Sequence, residues 1–427
     1  MEIRSITVFL PINNIGKPAL SVKELISLTI HNLETAAGIR QVALQSFQEA
    51  GFAVQSCRLA TSPFSNIFQP FRLEPCLEWV ENLEKQSRQA GFDYLSVGPA
   101  SPDQPETILA VVEIIKRTQN VFASALMTLP DSVSLQAVQL AARAIREISQ
   151  IEPNGFANLR FAALANVSPG SPFFPAAYYR DERFAFALAI EAADLFIEEI
   201  EQARDFQDAQ ARLICRIERE AQRLQEAADK VLQSASKTIP MGTVDFLGID
   251  FTPAPFPEFS RSFGTAMEKL GLESVGQQGS LASAAFLTNV LDQAHYSRTG
   301  FNGLMLPVLE DARLAQRAAQ GKLHVKDLLL YATVCGTGLD TIPLAGDVSE
   351  NALSALLLDL AALSLRLNKP LTARLMPIPG KTVGEETNFD FGYFANSHIL
   401  AIDESPLSGL FSTSQRMPIR ARNPLVR

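Results

Sequence analysis

Hydrophobic and polar positions follow two periods in turn along the first part of the chain. "RSITVFLP" is a short β-branched run closed by proline and predicts a strand. "SVKELISLTIHNLETAAGIRQVALQSFQEAGF" follows, with apolar residues at helical spacing up to Gly51, and with Ser21 and Glu24 placed as a capping box. The alternation then repeats. "AVQSCRLATSPF", "DYLSVGPAS", "VFASALMTLP" and "LRFAALANVSP" read as strands, separated by the helices "CLEWVENLEKQSRQAGF", "PETILAVVEIIKRTQ" and "SVSLQAVQLAARAIREISQI". Regular strand–helix alternation predicts an α/β fold with covered strands.

The pattern changes in the middle. From "RFAFALAIEAADLF" to "ADKVLQSAS" some fifty residues read as helical, as two helices broken near Asp205 that serve packing or dimerisation. Strand signals resume in "TVDFLGIDFTPAP", "GFNGLMLPVLED", "LLLYATVCGTGLDTIPLAGD", "PLTARLMPIPG" and "FDFGYFANSHILAI", giving roughly ten strands in all. The expected organisation is one large α/β unit over residues 1–427. It comprises an N-terminal half (about 1–182), a helical insert (about 183–237) and a C-terminal half (about 238–427).

Composition narrows the function classes. Hydrophobic residues make up 47% and charged residues 19% of the 427 residues, which predicts a large core. The formal charge of −9 opposes a nucleic-acid footprint, which needs a clustered basic face. The arginine-rich "RMPIRARNPLVR" reads as a docked or solvated tail, with an anion contact as the other reading. No run reaches the roughly 18 uninterrupted apolar residues of a membrane span, and "MEIRSITVFLPI" lacks the form of a targeting segment. Cys57, Cys76, Cys215 and Cys335 have neither metal-ligand nor disulfide-framework spacing. A cytoplasmic protein with no metal centre is expected.

Candidate chemistry centres on "ATVCGTGLDTIPLAGD". Gly336 and Gly338 allow a sharp turn beside Cys335, and Asp340 and Asp347 add carboxylates. A cysteine at a strand end before such a turn is presented to solvent or substrate, where α/β proteins place function. The other reading is core filling. A thiolate there needs a base from elsewhere, with His295, Arg298 and His398 as candidates by segment neighbourhood. In "NVSPGSPFFPAAYYRDERF", prolines hold Phe173, Phe174 and Tyr178 either as a pocket lining, with Arg180 as a polar contact, or as a lid or oligomer contact. Asp245 and Asp250 fall on opposite faces of one run, and "ESVGQQGSLASAAF" is a weak anion-loop pattern. Asn302 sits in an Asn-Gly turn, and the acidic pair Glu310–Asp311 reads as the start of a helix.

The segments "IRSITVFL", "SPFFPAAY", "FLGIDFTPAPFP", "LGLESVGQQGSLASAAFL", "GFNGLMLPVLED", "VCGTGLDTIPLAGD" and "TARLMPIPGK" occur in an order that resembles domain-of-unknown-function family 711, of UPF0210 type. That family is described as pyruvate formate-lyase-like. The resemblance implies a ten-stranded α/β barrel of the glycyl radical enzyme type, two five-stranded halves around a central loop, with surrounding helices and the long helical insert. By analogy it places the Cys335 segment inside the barrel. It also implies a possible small ACT-domain partner. The chain departs from the radical enzymes: "SGLFSTSQRMPIRARNPLVR" has no Arg-Val-x-Gly-aromatic motif, and there is no Cys-Cys pair.

Two functions follow as expectations. The first is a non-radical enzyme acting on a small polar metabolite in the barrel interior. Cys335 and Asp340 would be catalytic, with Phe173, Phe174, Tyr178, Asn302, Gly336, Gly338 and Asp347 around the substrate. The second is a catalytically inactive small-molecule-binding regulator working with an ACT-domain partner. Homo-oligomerisation is expected of either, and the cofactor is left open.

Overall fold

The computed structural model describes residues 1–12, 21–238 and 244–422. Its strands are β1 (Glu2–Leu10), β2 (Cys57–Thr61), β3 (Tyr94–Ala100), β4 (Val121–Leu126), β5 (Thr128–Leu129), β6 (Ser132–Ser134), β7 (Phe161–Ala165), β8 (Phe184–Glu191), β9 (Val244–Ala254), β10 (Gly338–Ala345), β11 (Leu371–Ile378) and β12 (Arg416–Pro418). Nine form one mixed sheet in the order β10-β11-β7-β4-β3-β2-β1-β8-β9. The central block β7, β4, β3, β2 and β1 is parallel throughout. It is flanked by two parallel pairs, β8–β9 and β10–β11, each joined to the block by an antiparallel contact. Helices between the strands complete a mixed α/β architecture.

The two faces of this sheet carry different side chains. Ile6, Val8 and Leu10 of β1, Leu95 and Val97 of β3, and Phe186, Leu188 and Ile190 of β8 belong to the main core with the helices. Apart from Phe9, which stacks on Tyr179, the alternate positions of these strands are mostly small or polar: Ser5 and Thr7, Ala60, Ser96, and Ala185 and Ala187, all buried. Period-two geometry sends these to the opposite face. The loop 166–180 lies against that face. The Thr7 hydroxyl donates to the Pro172 carbonyl (3.2 Å), Ser96 Oγ to the Ala177 carbonyl (2.7 Å), and the Tyr179 amide to the Thr61 carbonyl (3.0 Å). Small side chains on the strands leave the room that this loop fills with Phe174, Ala177 and Tyr179.

Several expectations hold and several change. Ser21 and Glu24 make both bonds of the capping box on the helix Val22–Glu49, the kind of cap worth about 1 kcal/mol. The middle segment does contain two helices, Ala193–Glu201 and Phe206–Thr238, broken around Asp205. It opens, however, on β8 rather than on helix. Alanines at every second position of "FAFALAIE" mimic helical composition, while the period of Phe184, Phe186, Leu188 and Ile190 is two. "LLLYATVC" is not strand: Val325–Tyr331 is helical, and β10 begins only at Gly338. "GFNGLMLPVLED" and "FDFGYFANSHILAI" run as irregular chain with isolated bridges.

The edge strands β9 and β10 are not paired with each other, so the described strands form an open ladder. Each edge carries one bridge to the same segment, Ile249 to Arg298 and Pro307 to Asp340. The arginine-rich tail docks through β12 on β6, and Arg416 pairs with Asp103 at 2.7 Å; residues 423–427 lie outside the described ones. Among the described residues no helix is long and apolar enough to cross a membrane, and no cluster of three metal-ligating side chains occurs.

Candidate functional site

A cavity of about 290 Å³ opens at the strand starts of the parallel block. Arg4 comes from β1, Arg58 from β2, Tyr94 from β3 and Phe122 from β4. Arg374 of β11, Glu310 and Met305 of the irregular chain, Phe173 and Phe174 of the inner loop, and Phe391 and Tyr393 of the 388–396 turn line the rest. Tyr393 is 41% exposed and marks the opening.

The charged groups form a chain of contacts. Arg374 binds Asp340 at two points, Nε to Oδ1 at 2.6 Å and Nη2 to Oδ2 at 2.9 Å, and its Nη2 also donates to Glu310 Oε1 at 2.6 Å. Arg4 holds the other Glu310 oxygen. Burial pushes the Glu310 carboxyl up, but Arg374 and Arg4 outweigh it and leave it below its ordinary value. Burial raises Asp340 against the pull of Arg374. The two-point contact favours the charged form of Asp340 against that burial.

Arg58 is different. Its Nε donates to Ser56 Oγ at 3.0 Å, and its guanidinium lies over the rings of Phe174 and Tyr94 at 5.3 and 5.7 Å. Among the described residues it makes no ion pair, and neither terminal nitrogen has a protein acceptor. Burial, then the charge of Arg4, pulls its pKa down to about 10, so it stays cationic at neutral pH. Ser56 is itself held, donating to the Arg4 carbonyl at 2.8 Å.

The residues expected from the sequence divide between this cavity and other places. Phe173 and Phe174 line it, and Asp340 sits directly behind Arg374. Tyr178 is turned away, its hydroxyl donating to the Val167 carbonyl at 2.7 Å, and burial pushes its phenol up to about 12. Asn302 adopts φ 48° and is spent on its own turn: its side chain accepts from the Phe251 amide and the Tyr296 hydroxyl and donates to the Thr299 carbonyl. Asp347 is exposed on a separate groove with Arg146 and Glu350.

Cys335 lies in the turn ahead of β10, not at the end of a strand. It is 2% exposed, and burial raises its thiol to about 11. Gly336 is pressed on Gly303, where a Cβ would come within 2.4 Å of the Gly303 Cα; Gly338 has φ +99° and lies against the Thr372 carbonyl. None of the suggested bases is at the thiol. The His295 side chain is exposed beside Glu218, Arg298 is bonded to the carbonyls ending helix Ser280–Gln293, and the backbone of His398 forms an antiparallel bridge with that of Glu386.

Other candidates have structural duties. Asp250 accepts from the Phe301, Asn302 and Thr252 amides, and Asp245 pairs with Arg183. Asp311 caps helix Ala312–Ala319 as expected, while its neighbour Glu310 turns into the cavity. Gly276 is required by the close approach of the Lys322 carbonyl. Arg4, Arg58 and Arg374 were missed in the sequence. Their signal is present there: a single arginine inside an apolar strand run, in "EIRSITVFL", "CRLAT" and "LTARLMPI", which is costly unless paired or used.

Residues 1–396 match the family model described as Uncharacterised ACR (DUF711). A UPF0210 protein of Pyrobaculum arsenaticum is 29% identical over 402 residues, covering 90% of this chain and 87% of its own. Another from Halothermothrix orenii is 23% identical, covering 98% and 94%, and one from Syntrophobacter fumaroxidans is 26% identical, covering 83% and 80%.

Proposed function

Because the chain belongs to the DUF711 family, whose description names no activity, we propose its function from the cavity: it binds a small anionic metabolite, with Arg58 as the anchor. The observation that carries this reading is an arginine on an interior cavity whose terminal nitrogens have no protein acceptor among the described residues, beside two arginines whose charges are already met. Arg58 is half-buried, and a cation drawn partly out of water with no counter-ion is costly. A ligand anion supplies what the protein withholds.

Catalysis is the second reading, favoured by the density of perturbed ionisable groups around Glu310. In that version Asp340 acts through Arg374 as a positioning residue, and Cys335 takes no part because it is not among the residues lining the cavity. The reaction is non-radical, in keeping with the lack of an Arg-Val-x-Gly-aromatic motif in residues 409–427. We propose also that segment 298–307 acts as the closing stave between β9 and β10, which makes the cavity the lumen of a pyruvate formate-lyase-like barrel; the two bridges support this. An ACT-domain partner, self-association and a cytoplasmic setting belong to the regulatory version.

Thermal-shift screening of the full chain against small anionic metabolites tests the reading. Stabilisation by at least one anion, lost in Arg58→Gln, is expected, and turnover of that hit then separates enzyme from regulator. If no anion stabilises the chain through Arg58, the reading fails.

A further inference from the structure

We infer that the ligand is a monocarboxylate with a flat apolar body, a small aromatic or heteroaromatic acid, seated with its carboxylate on the terminal nitrogens of Arg58. This rests on the anion-binding reading above and narrows it to a chemical class.

The charge count sets the valence. Arg4, Arg58 and Arg374 bring three positive charges, and Glu310 and Asp340 bring two negative ones in direct contact with Arg4 and Arg374. The remaining carboxylate on the lining, Asp93, is exposed and accepts from the Cys57 amide, so the one charge of the interior network without a protein partner among the described residues is that of Arg58. A monoanion neutralises it, whereas a phosphate dianion or a dicarboxylate leaves a second charge facing Glu310 in a poorly solvated space.

The hydrogen-bonding geometry sets the head group. Ser56 engages the Arg58 Nε, and the rings of Tyr94 and Phe174 cover its guanidinium. What is left is the pair of terminal nitrogens, held flat and in place. That is the fork that binds a planar carboxylate in two-point fashion. The orientation is fixed before any ligand arrives, which lowers the ordering cost of binding.

The walls set the body. Beyond Arg58 the cavity is lined by Phe122, Phe173, Phe174, Phe391 and Tyr393, with Met305. Phe122 and Phe174 meet edge to face with centroids 5.4 Å apart, and Phe391 and Tyr393 are 5.4 Å apart. Such rings favour a flat apolar partner at offset or edge contacts. A volume of about 290 Å³ sits at the low end of ligand pockets and suits a body of one or two rings.

Calorimetric titration of the full chain with matched probes tests this class. Phenylacetate and indole-3-acetate are compared with the neutral phenylacetamide, with succinate and with inorganic phosphate. The aromatic acids are expected to bind at least about tenfold more tightly than the other three. Arg58→Gln is expected to weaken the acids by about tenfold or more with little change in thermal midpoint, and Arg58→Lys to recover part of the loss. Tighter, Arg58-dependent binding of phosphate or succinate overturns the aromatic-acid class and leaves the anion reading standing. Equal binding of phenylacetate and phenylacetamide, unaffected by Arg58→Gln, overturns both. No binding of either aromatic acid at millimolar concentration overturns the class proposed here.

Discussion

The turn at Cys335 and the cavity at Arg58 are both interior, and both hold a group with latent chemistry. They differ in what is left over. At the turn, Gly336 touches Gly303 backbone to backbone, the Thr337 hydroxyl donates to the Leu304 carbonyl at 3.1 Å, and Lys369 is bonded to the Cys335 carbonyl. Polar capacity and space are both used up. At the cavity, Arg58 keeps two donor nitrogens without a partner among the described residues, and open volume lies beside them. Burial shifts a pKa in either place, up for the Cys335 thiol and down for the Arg58 guanidinium. Only spare hydrogen-bonding capacity with room next to it makes a place for a ligand.

The largest effect separates the paired arginine from the free one. Arg374→Met leaves Glu310 and Asp340, both almost fully buried, without their shared cation. Breaking a buried ion pair from one side costs about 3–5 kcal/mol, and urea unfolding of the variant against the parent measures it. A loss under about 1 kcal/mol would mean that these carboxylates hold water or a proton instead of Arg374. Next comes the close-packed turn. Gly336→Ala places a methyl 2.4 Å from the Gly303 Cα, and both partners are backbone, so neither moves aside as a side chain would. Overpacking of this kind costs about 3 kcal/mol, and the same unfolding experiment reads it.

A smaller effect is specific to pH. The Glu310 carboxyl is held below its ordinary value, where Arg374 and Arg4 outweigh the burial that raises it. A carboxylate whose folded pKa is depressed adds stability above its unfolded pKa and loses it as pH falls through the folded value. Asp340, Asp250 and Asp311 are shifted upward by burial and act in the opposite sense, so the whole-protein profile mixes the two signs. The difference between parent and Glu310→Gln isolates one group. That stability difference is expected to be constant from neutral pH down to about pH 4.5 and to shrink below it. A difference that grows on acidification would place Glu310 among the carboxyls raised by burial.

These tests also bear on what the sequence could reveal. Strand and helix alternation was readable up to residue 165 because outer-face positions repeat with clear periods and helix ends carry caps such as Ser21. β8 was not, since its inner face is alanine at each turn of the pleat and the run passes for helix. Phe173 and Phe174 were identified because prolines hold two adjacent rings in one short loop. The arginines were overlooked because each stands alone in its own strand, and sheet order rather than spacing brings β1, β2 and β11 around one cavity. Cys335 drew attention through its glycines, yet those glycines serve the crossing of two backbones and the bend into β10.

Arg58→Gln is expected to change stability by less than about 1 kcal/mol. It removes the bond to Ser56 and the stacking on Phe174 and Tyr94, and it also relieves repulsion from Arg4. Cation–π contacts of this kind are worth about 0.5–1 kcal/mol when partly exposed, so gain and loss nearly cancel. A loss comparable to that of Arg374→Met would make Arg58 part of the framework and remove the contrast on which ligand binding is argued.

The smallest expected effect is on Cys335. With its pKa raised to about 11, roughly one thiol in a thousand is ionised at pH 8, and the packing denies a reagent access to it. Brief iodoacetamide treatment of the folded chain at pH 8, followed by peptide mass analysis, is expected to label the exposed Cys215 and leave Cys335 unmodified. Labelling of both after unfolding in urea shows that the reagent is competent. Native-state labelling of Cys335 at a rate matching Cys215 would show that the Gly303–Gly336 crossing opens readily, and the turn would then share with the cavity the accessibility that now divides them.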